Sequence, residues 1–511
     1  MKAHLLYRDR DLEAERALPA NERALCDDLE VNTVLAAMAR GDTFLLSVAK
    51  HVVLGGLQGD LDTILYRQAV LDDCVRHRTT IESMYRLAVE ALETKRRQWL
   101  GILGTYPGGI LSGAVSLLEM FMGMLATLRG IADEHAASFA SEGFARLFED
   151  LKAELTDEYL AVTRAYLAEL RFGDGVVVSA ELGPGNAGTN YVLRPPPKKE
   201  PNWLRRIIAR KPPGYSLRIA DRDEAGFRAL GELRDRGIHL VANAVAQASD
   251  HVLSYFVMLR TELAFYLGCV NLHDRLKQKG VPVCFPVPTP LGTRAHSCVG
   301  LRDVSLALSI EGNVVGNDLA ADGRDIVIIT GANQGGKSTF LRGFGLAQLM
   351  MQCGMFVAAE SFRADVCRGL LTHYKRDEDA TMKSGKFAEE LSRMSRIVDA
   401  VVPGSMVLFN ESFAATNERE GSEVADQIVR ALLEARVTVF FVTHLYGFAH
   451  GRWEGGRDTT VFLRAERELN GRRTFKLVPG EPLETSFGAD LYEQIFEAGR
   501  GQTGQGGPPR A

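Results

Sequence analysis

The residues with the clearest chemistry are Lys337, Ser338 and Thr339, which end a glycine-rich loop between an apolar run at 325–330 and a helical pattern at 340–351. Glycines let backbone amides close around phosphate oxygens, and the N-terminus of a helix adds its dipole. In this order of strand, loop and helix, the lysine reaches the β- and γ-phosphates of ATP and the serine hydroxyl binds Mg²⁺. The alternative is a glycine-rich turn with a chance Lys-Ser pair. The loop residues expected to contact the nucleotide are Gly331, Asn333, Gly335, Gly336, Lys337, Ser338 and Thr339.

A second group of polar residues, Asn410 and Glu411, follows the apolar run 404–409. P-loop ATPases commonly place an aspartate here for Mg²⁺ and then a glutamate that polarises the attacking water. Because the Asn410 amide is neutral, Mg²⁺ should be held more weakly and hydrolysis should be slow, while Glu411 remains as the base. His444 follows the buried run 437–443, at a strand end where ligands bind in parallel sheets, and we expect it to contact the γ-phosphate. A purely structural histidine is the alternative.

Length, charge and cysteine content limit the class of protein. A chain of 511 residues predicts several domains, and its net charge of −5 excludes a globally basic nucleic-acid binder. Its seven cysteines are scattered without a C-x-x-C pair, which favours a reducing, cytoplasmic compartment over a disulfide framework or a zinc site. No signal-peptide pattern is apparent at the start of the chain. The most apolar stretch, 110–128, contains Glu119 and several Gly and Ser residues, so we interpret it as a core helix and expect no membrane contact.

Composition predicts an α/β P-loop domain preceded by a mainly helical region with a small β-rich insertion. The proline-rich stretch 282–290 is typical of a rigid linker, and the apolar stretch 355–360 predicts a short strand after the P-loop helix. The predicted parts are a helical domain at 1–171, a β-rich basic insertion at 172–221, long helices and the linker at 222–290, the P-loop ATPase domain at 291–498 and a disordered Gly/Gln/Pro tail at 499–511.

The insertion carries a basic segment, residues 194–214, in which Glu200 is the single acidic residue. Lys and Arg side chains at such a density can neutralise the phosphates of a nucleic-acid backbone, in contacts that weaken with salt. The alternative is a solvated loop, which most charge runs are. The candidate DNA-binding residues are Lys198, Lys199, Arg205, Arg206, Arg210 and Lys211.

Several of these motifs together resemble the MutS family of DNA mismatch-repair ATPases. Residues 330–339 look like the family's T-G-P-N-x-G-G-K-S-T loop, and residues 407–411 resemble its L-V-L-x-D-E segment. Residues 384–390 resemble a shortened form of the signature S-G-R-S-T-F-x-x-E. The matches run in family order over 325–495, whereas 50–285 resembles the family's helical core and lever only weakly.

The resemblance implies an ABC-type ATPase that uses ATP and Mg²⁺ and acts as a dimer, here expected to be a homodimer. Each site would be completed by the partner's signature segment, so Ser384 and Gly385 are expected to contact the partner's nucleotide. ATP binding and hydrolysis would gate a clamp on mismatched, branched or otherwise structured duplex DNA. The 330 residues before Gly331 are too few for the family's mismatch-recognition and connector domains together with a full lever and clamp.

Three functional hypotheses follow. The leading one is a MutS-type, ATP-dependent DNA-binding ATPase in mismatch repair or related recombination and repair. The second is a nucleotide-gated binding module with little turnover, because Asn410 stands where an aspartate is usual. The third is a P-loop ATPase that acts on protein partners through its long helices, with the basic segment merely solvated.

Overall fold

The computed structural model describes the chain apart from a set of short segments and the last 27 residues, which are 14–16, 56, 58–59, 100–105, 174, 196–214, 217, 377–384, 456–457, 469–472 and 485–511. The chain forms two compact units. Unit 1 comprises Met1–Ala3, Thr79–Ala140 and Phe144–Thr261, and unit 2 comprises His4–Arg78, Ser141–Gly143 and Glu262–Ala511. Residues 4–78 therefore belong with the ATP motifs, a grouping that composition did not indicate. The five-part division by composition stays a prediction.

From Glu22 onward, the described part of the first 171 residues is mainly helical, as predicted. Local signals fix several helix starts: the Asp60 carboxylate accepts the Thr63 amide at 2.7 Å, and the Thr156 hydroxyl accepts the Tyr159 amide at 3.1 Å. The helices are α1 (Glu22–Asp28), α2 (Val31–Ala39), α3 (Thr43–Gly55), α4 (Leu61–Arg76), α5 (Arg78–Trp99), α6 (Pro107–His135), α7 (Glu142–Glu154) and α8 (Asp157–Glu169).

The predicted β-rich insertion contains an antiparallel hairpin in unit 1, formed by β1 (Val177–Leu182) and β2 (Gly188–Arg194). This hairpin packs on the long helix α9 (Glu224–Gln278): a Cβ at Gly237 would lie 2.5 Å from a methyl group of Val178. The insertion thus contains strands, as predicted, and the long helical stretch after it is one continuous helix. The basic candidates between 198 and 211 lie outside the described residues.

Two helices, α6 and α9, are long and apolar enough to cross a membrane when judged by length and composition alone. The most apolar window is 50% buried inside the protein for the stretch Pro107–Ser138 and 61% buried for α9. Such burial is typical of core helices in a folded domain, in agreement with the interpretation of 110–128 as a core helix.

Unit 2 is built on a six-stranded sheet in the order β12-β11-β6-β10-β9-β8, parallel except for β12. Its central strands are continuous apolar runs that are almost entirely buried, as expected when helices cover both faces. The strands are β6 (Ile326–Gly331), β8 (Leu370–Tyr374), β9 (Met406–Asn410), β10 (Thr438–Val442), β11 (Thr460–Arg467) and β12 (Arg473–Pro479). The helices of this part are α10 (Val304–Ser309), α11 (Lys337–Gln352), α12 (Lys386–Ala400), α13 (Glu418–Glu434) and α14 (Tyr446–Gly455).

A second sheet in the order β3-β7-β4-β5 corrects two predictions. The stretch 282–290 is not a free linker, because it contains β3 and because Cys284 bridges Val357. The stretch 355–360 is not a strand: its residues are mostly buried, but only Val357 pairs, and the strand begins one residue later. The strands are β3 (Val287–Thr289), β4 (His296–Leu301), β5 (Asn317–Ala320) and β7 (Ser361–Asp365).

Side chains, and not a backbone ladder, hold the start of unit 2 at the buried residues Leu5 and Leu6. The Glu262 carboxylate accepts the amides of Leu5 and Leu6, and the Tyr266 hydroxyl donates to the Leu5 carbonyl at 2.6 Å. Arg67 donates to the Leu6 carbonyl at 2.9 Å. Since Leu5 and Leu6 are fully buried, these bonds satisfy main-chain groups that water cannot reach.

The buried Glu262 predicts a pH dependence of stability. Burial raises the pKa of this carboxyl from 4.5 to about 8, against the opposing effect of the Leu5 and Leu6 amides. The folded state therefore binds the proton more tightly, so the stabilisation is complete at acid pH and is lost as pH rises toward 8. Between pH 4.5 and about 8, we expect the free energy of unfolding of the wild type to fall relative to that of Glu262→Gln, by up to about 1.4 kcal/mol per pH unit. Urea unfolding across the interval measures the difference; equal slopes for the wild type and Glu262→Gln would contradict it, and Glu232→Gln, on the exposed part of α9, is the control.

Candidate functional site

The glycine-rich loop joins the buried end of β6 to the start of α11. Gly331 and Gly336 have φ of 105° and 89°, in the left-handed region that glycine adopts without strain. Gly331 also lies against β11, where a Cβ would come within 2.8 Å of the Ala465 amide nitrogen. The loop backbone can therefore curl over the helix N-terminus, where unpaired amides and the helix dipole favour an anion.

Lys337 is folded into this loop. Its Nζ donates to the carbonyl oxygens of Gly331 and Ala332, both at 2.9 Å, and the residue is 4% exposed. Burial lowers the pKa of Lys337 to about 8, although the Glu411 carboxylate acts in the opposite direction. The ammonium is thus held at the loop, where phosphate oxygens would give it stronger acceptors than two neutral carbonyls.

Ser338 and Asn410 meet where the metal site was predicted. The Ser338 hydroxyl donates to the Asn410 Oδ1 at 2.8 Å, so two oxygen ligands lie side by side at the carboxyl end of β9. Mg²⁺ takes oxygen ligands, keeps several waters and shares substrate phosphates. The pair therefore fits a magnesium ion that is bound mainly through the nucleotide, with no carboxylate among these two ligands.

Glu411 and His444 form the third pair. The Nε2 of His444 lies 3.1 Å from the Glu411 Oε1, and this hydrogen bond lowers the pKa of the glutamate below its usual value. The two residues follow the parallel neighbours β9 and β10, whose carboxyl ends meet at one edge of the sheet. An ionised, oriented carboxylate at this edge can accept a proton from a water molecule.

A cleft of about 350 Å³ opens beside the loop and includes Glu411 on its wall. Its far side is apolar and is formed in part by Leu306, Val315 and Phe475. Phe475 is 49% exposed, and its carbonyl accepts the Asn317 side-chain amide at 3.1 Å. Sequence reasoning missed this wall because no motif marks it: its residues come from the stretch 306–317 and from Phe475, which only the fold brings together.

The structure brings together Gly331 to Thr339, Asn410, Glu411 and His444, but it leaves other candidates unplaced. Gly385 precedes the first residue of α12 and is not one of the described residues that line this cleft. Ser384 and the six basic candidates lie outside the described residues. Their roles remain predictions.

Together, the glycine-rich loop, the Ser338–Asn410 pair and the Glu411 carboxylate directly after β9 have the arrangement that is typical of P-loop nucleotide-binding proteins. The family model for the MutS2 N-terminal domain matches residues 59–279, and that for MutS domain V matches residues 327–491. The chain belongs to the MutS family. The helical region, in which the motifs alone showed only a weak resemblance, is therefore also related to this family.

Individual relatives match mainly over about a third of this chain. MutS protein homolog 4 of Mus musculus is 30% identical over 151 residues, which are 30% of this chain and 16% of that protein. DNA mismatch repair protein MutS of Porphyromonas gingivalis is 33% identical over 174 residues, 32% of this chain and 19% of that protein. Endonuclease MutS2 of Thermus thermophilus is 34% identical over 181 residues, 33% of this chain and 23% of that protein. The chain thus matches less than a quarter of the length of each relative.

Proposed function

We propose that this chain is a MutS-type, ATP-dependent DNA-binding ATPase of the cytoplasm that works in DNA mismatch repair or related recombination and repair. The observation that carries the proposal is the convergence of Lys337, Ser338 and Glu411 on one cleft within the MutS domain V match. The MutS-type names of the relatives support the part of the proposal that concerns DNA binding and repair. ATP and Mg²⁺ are the proposed cofactors, and mismatched, branched or other structured duplex DNA is the proposed partner.

Each residue of the cleft has a separate task in this proposal. Loop amides and Lys337 bind the phosphates, while Ser338 and Asn410 hold Mg²⁺, which offsets negative charge on the phosphate oxygens. Glu411 orients a water molecule and accepts its proton, and His444 keeps the carboxylate ionised and aimed. Phe475 offers an aromatic face to the nucleobase, because it is the half-exposed aromatic residue of the apolar wall.

The proposal includes a homodimer in which ATP binding gates a DNA clamp. Support comes from the resemblance of residues 384–390 to the family's signature segment. Gly385 is not among the described residues that line the cleft of its own chain, which suits a segment that completes a partner's site. Sedimentation with and without a nonhydrolysable ATP analogue would test it: a monomer under both conditions would contradict the dimer.

The whole proposal is tested by one binding and turnover screen. The pure protein is offered matched duplex, mismatched duplex, branched and single-stranded DNA at low salt, with and without ATP, and phosphate release is followed in parallel. We expect magnesium-dependent ATP hydrolysis that changes when a structured duplex binds. Absence of DNA binding at low salt under every nucleotide condition would refute the proposed DNA-binding function.

Charge reversal in the basic segment should weaken DNA binding if that segment contacts the backbone. Replacing Arg205, Arg206, Arg210 and Lys211 with glutamate removes phosphate contacts, and each lost contact should lower the slope of log K against log salt by about 0.9. Binding titrations on one duplex across a salt series measure the slope, with the exposed Arg396→Glu as control. Unchanged affinity and slope would leave the segment solvated and favour a P-loop ATPase that acts on protein partners.

A second candidate function, a nucleotide-gated binding module with little turnover, is favoured by the neutral Asn410–Ser338 pair. In this case ATP would act mainly as a ligand that stabilises one state of the protein. Steady-state turnover that is substantial and collapses in Glu411→Gln would count against it.

Asn410→Asp should tighten magnesium-dependent ATP binding and raise the turnover rate. A carboxylate adds a negative charge beside the metal, and we expect about a tenfold lower half-saturating Mg²⁺ concentration, or about 1.4 kcal/mol. A magnesium titration of ATP hydrolysis measures it, with Asn243→Asp, exposed on α9, as the control. An unchanged magnesium requirement would show that Asn410 does not limit the site.

A further inference from the structure

The turn that carries Glu411 has a backbone conformation that its own residues disfavour. Glu411 and Phe413 have φ of 54° and 63°, in the left-handed region where a Cβ adds strain of about 1 kcal/mol or more per residue. Such conformations persist only where the surroundings fix them. Ser412 and Phe413 are fully buried, so the source of that restraint lies inside the protein.

His373 on β8 supplies part of the restraint. Its Nδ1 lies 2.7 Å from the Ser412 hydroxyl and its Nε2 lies 3.1 Å from the Glu390 carbonyl oxygen. Burial lowers the pKa of His373 to about 4, so the ring is neutral and carries one N–H, which donates from Nε2 to the Glu390 carbonyl. The Ser412 hydroxyl lies 2.6 Å from the His373 carbonyl oxygen and 2.7 Å from Nδ1, so its single proton is shared between these two acceptors of the same residue. The Phe413 ring stacks on the imidazole at a centroid distance of 5.3 Å and an angle of 18°.

Glu390 on α12 also restrains the turn that carries Glu411. It is 4% exposed; burial raises the pKa of its carboxyl, and Arg393 and hydrogen bonds from the Phe413 and Ala415 amides act in the opposite direction. The turn is therefore held from both sides, through its Ser412 side chain and through its backbone amides. The helix that holds it begins at Lys386, directly after Gly385.

We propose that His373 and Ser412 are positioning residues that lock the Glu411 turn against helix α12 and thereby aim the Glu411 carboxylate at the cleft. The proposal rests on the proposed ATPase function. Neither residue lines the cleft, and both are buried to within 1% of their surface, so each acts through Glu411. If the bonds are lost, the turn can relax toward negative φ and move the carboxylate, and a displacement of about 1 Å costs on the order of 100-fold in rate.

This arrangement also gives α12 a function beyond packing. The predicted signature segment 384–390 extends into α12 and ends at Glu390, whose carbonyl and carboxylate hold the turn. A shift of that segment would therefore be transmitted to the base of the same chain through two hydrogen-bonded side chains. The neutral His373 ring carries no charge that would have to be compensated when the helix moves.

Ser412→Ala tests the proposal with the loss of a single oxygen atom. We expect kcat to fall about tenfold or more, while KM and the Kd of a nonhydrolysable ATP analogue stay within about twofold. His373→Asn and His373→Gln separate the two bonds, because the asparagine amide can take the place of Nδ1 and the glutamine amide that of Nε2. Both should lower kcat at constant KM, since each cuts the link between α12 and the turn at one point.

The matched control is Ser405→Ala, which should leave kcat unchanged. Ser405 is a buried serine directly before β9, whereas Ser412 follows the opposite end of that strand. A kcat within about twofold of wild type in Ser412→Ala overturns the proposal, as does an equal loss of nucleotide binding and kcat, which would indicate general unfolding. If the His373 variants do not fold, Ser412→Ala decides alone. No hydrolysis by the wild type would instead refute the proposed ATPase function.

Discussion

Lys337→Ala should weaken ATP binding by about 100-fold or more, and with it abolish every nucleotide-dependent property of the protein. A hydrogen bond to a charged group contributes about 1.5–3 kcal/mol, and this ammonium would give up two neutral carbonyl partners for phosphate oxygens. Equilibrium titration with a fluorescent ATP analogue measures the loss directly.

The control for Lys337 is Lys277→Ala, an exposed lysine of the same unit that should bind ATP like the wild type. Thermal unfolding without nucleotide shows whether the Lys337 variant is folded, since the substitution takes this donor away from the buried Gly331 and Ala332 carbonyls. Wild-type affinity in Lys337→Ala would show that the glycine-rich loop does not bind phosphate.

Glu411→Gln should slow hydrolysis by about 100-fold or more while ATP still binds. General base catalysis contributes about 10²–10⁴-fold, and the glutamine amide cannot accept the proton. The loop, Lys337 and the Ser338–Asn410 pair are left intact, so the nucleotide should accumulate unhydrolysed. Single-turnover hydrolysis and the Kd for ATP, measured on the same preparation, separate the two effects.

Glu434→Gln, exposed at the end of α13, should hydrolyse ATP at the wild-type rate. An unchanged rate in Glu411→Gln would exclude Glu411 as the base, and a large loss of affinity would assign it to nucleotide binding. A wild type already as slow as Glu411→Gln would instead support the binding module with little turnover.

The part of the fold that the sequence predicted correctly is local. A run of buried apolar residues, a glycine-rich turn and a helical pattern lie next to each other along the chain, so β6, the loop and α11 needed no knowledge of distant contacts. The second sheet was missed because β3 pairs with β7, and Val287 and Arg363 lie far apart in sequence. Prolines around β3 favour an extended chain, and an extended chain is compatible both with a linker and with an edge strand.

The same limit applies to the candidate site. Glu411 directly follows β9, His444 comes two residues after β10, and Lys337 ends the loop that follows β6. Because parallel strands bring their carboxyl ends together, sequence order alone was enough to predict that these residues meet. His373 and Phe475 gave no such signal. The first is a histidine inside an apolar strand whose partners come from two other segments, and the second is an aromatic residue in a strand, where aromatic residues are common.

The interrupted course of unit 2 along the chain has a consequence for its synthesis. The Leu5 amide and its Glu262 acceptor are 257 residues apart, and all of the long middle segment Phe144–Thr261 belongs to unit 1. During synthesis on a ribosome, the segment His4–Arg78 emerges long before the strands with which it packs. Its apolar residues therefore stay without their native neighbours until those strands have been made. Contacts this distant slow folding, and exposed apolar surface during the wait favours aggregation. We expect the yield of soluble protein to depend more on the rate of translation and on chaperones than on the final stability of the ATP-binding unit.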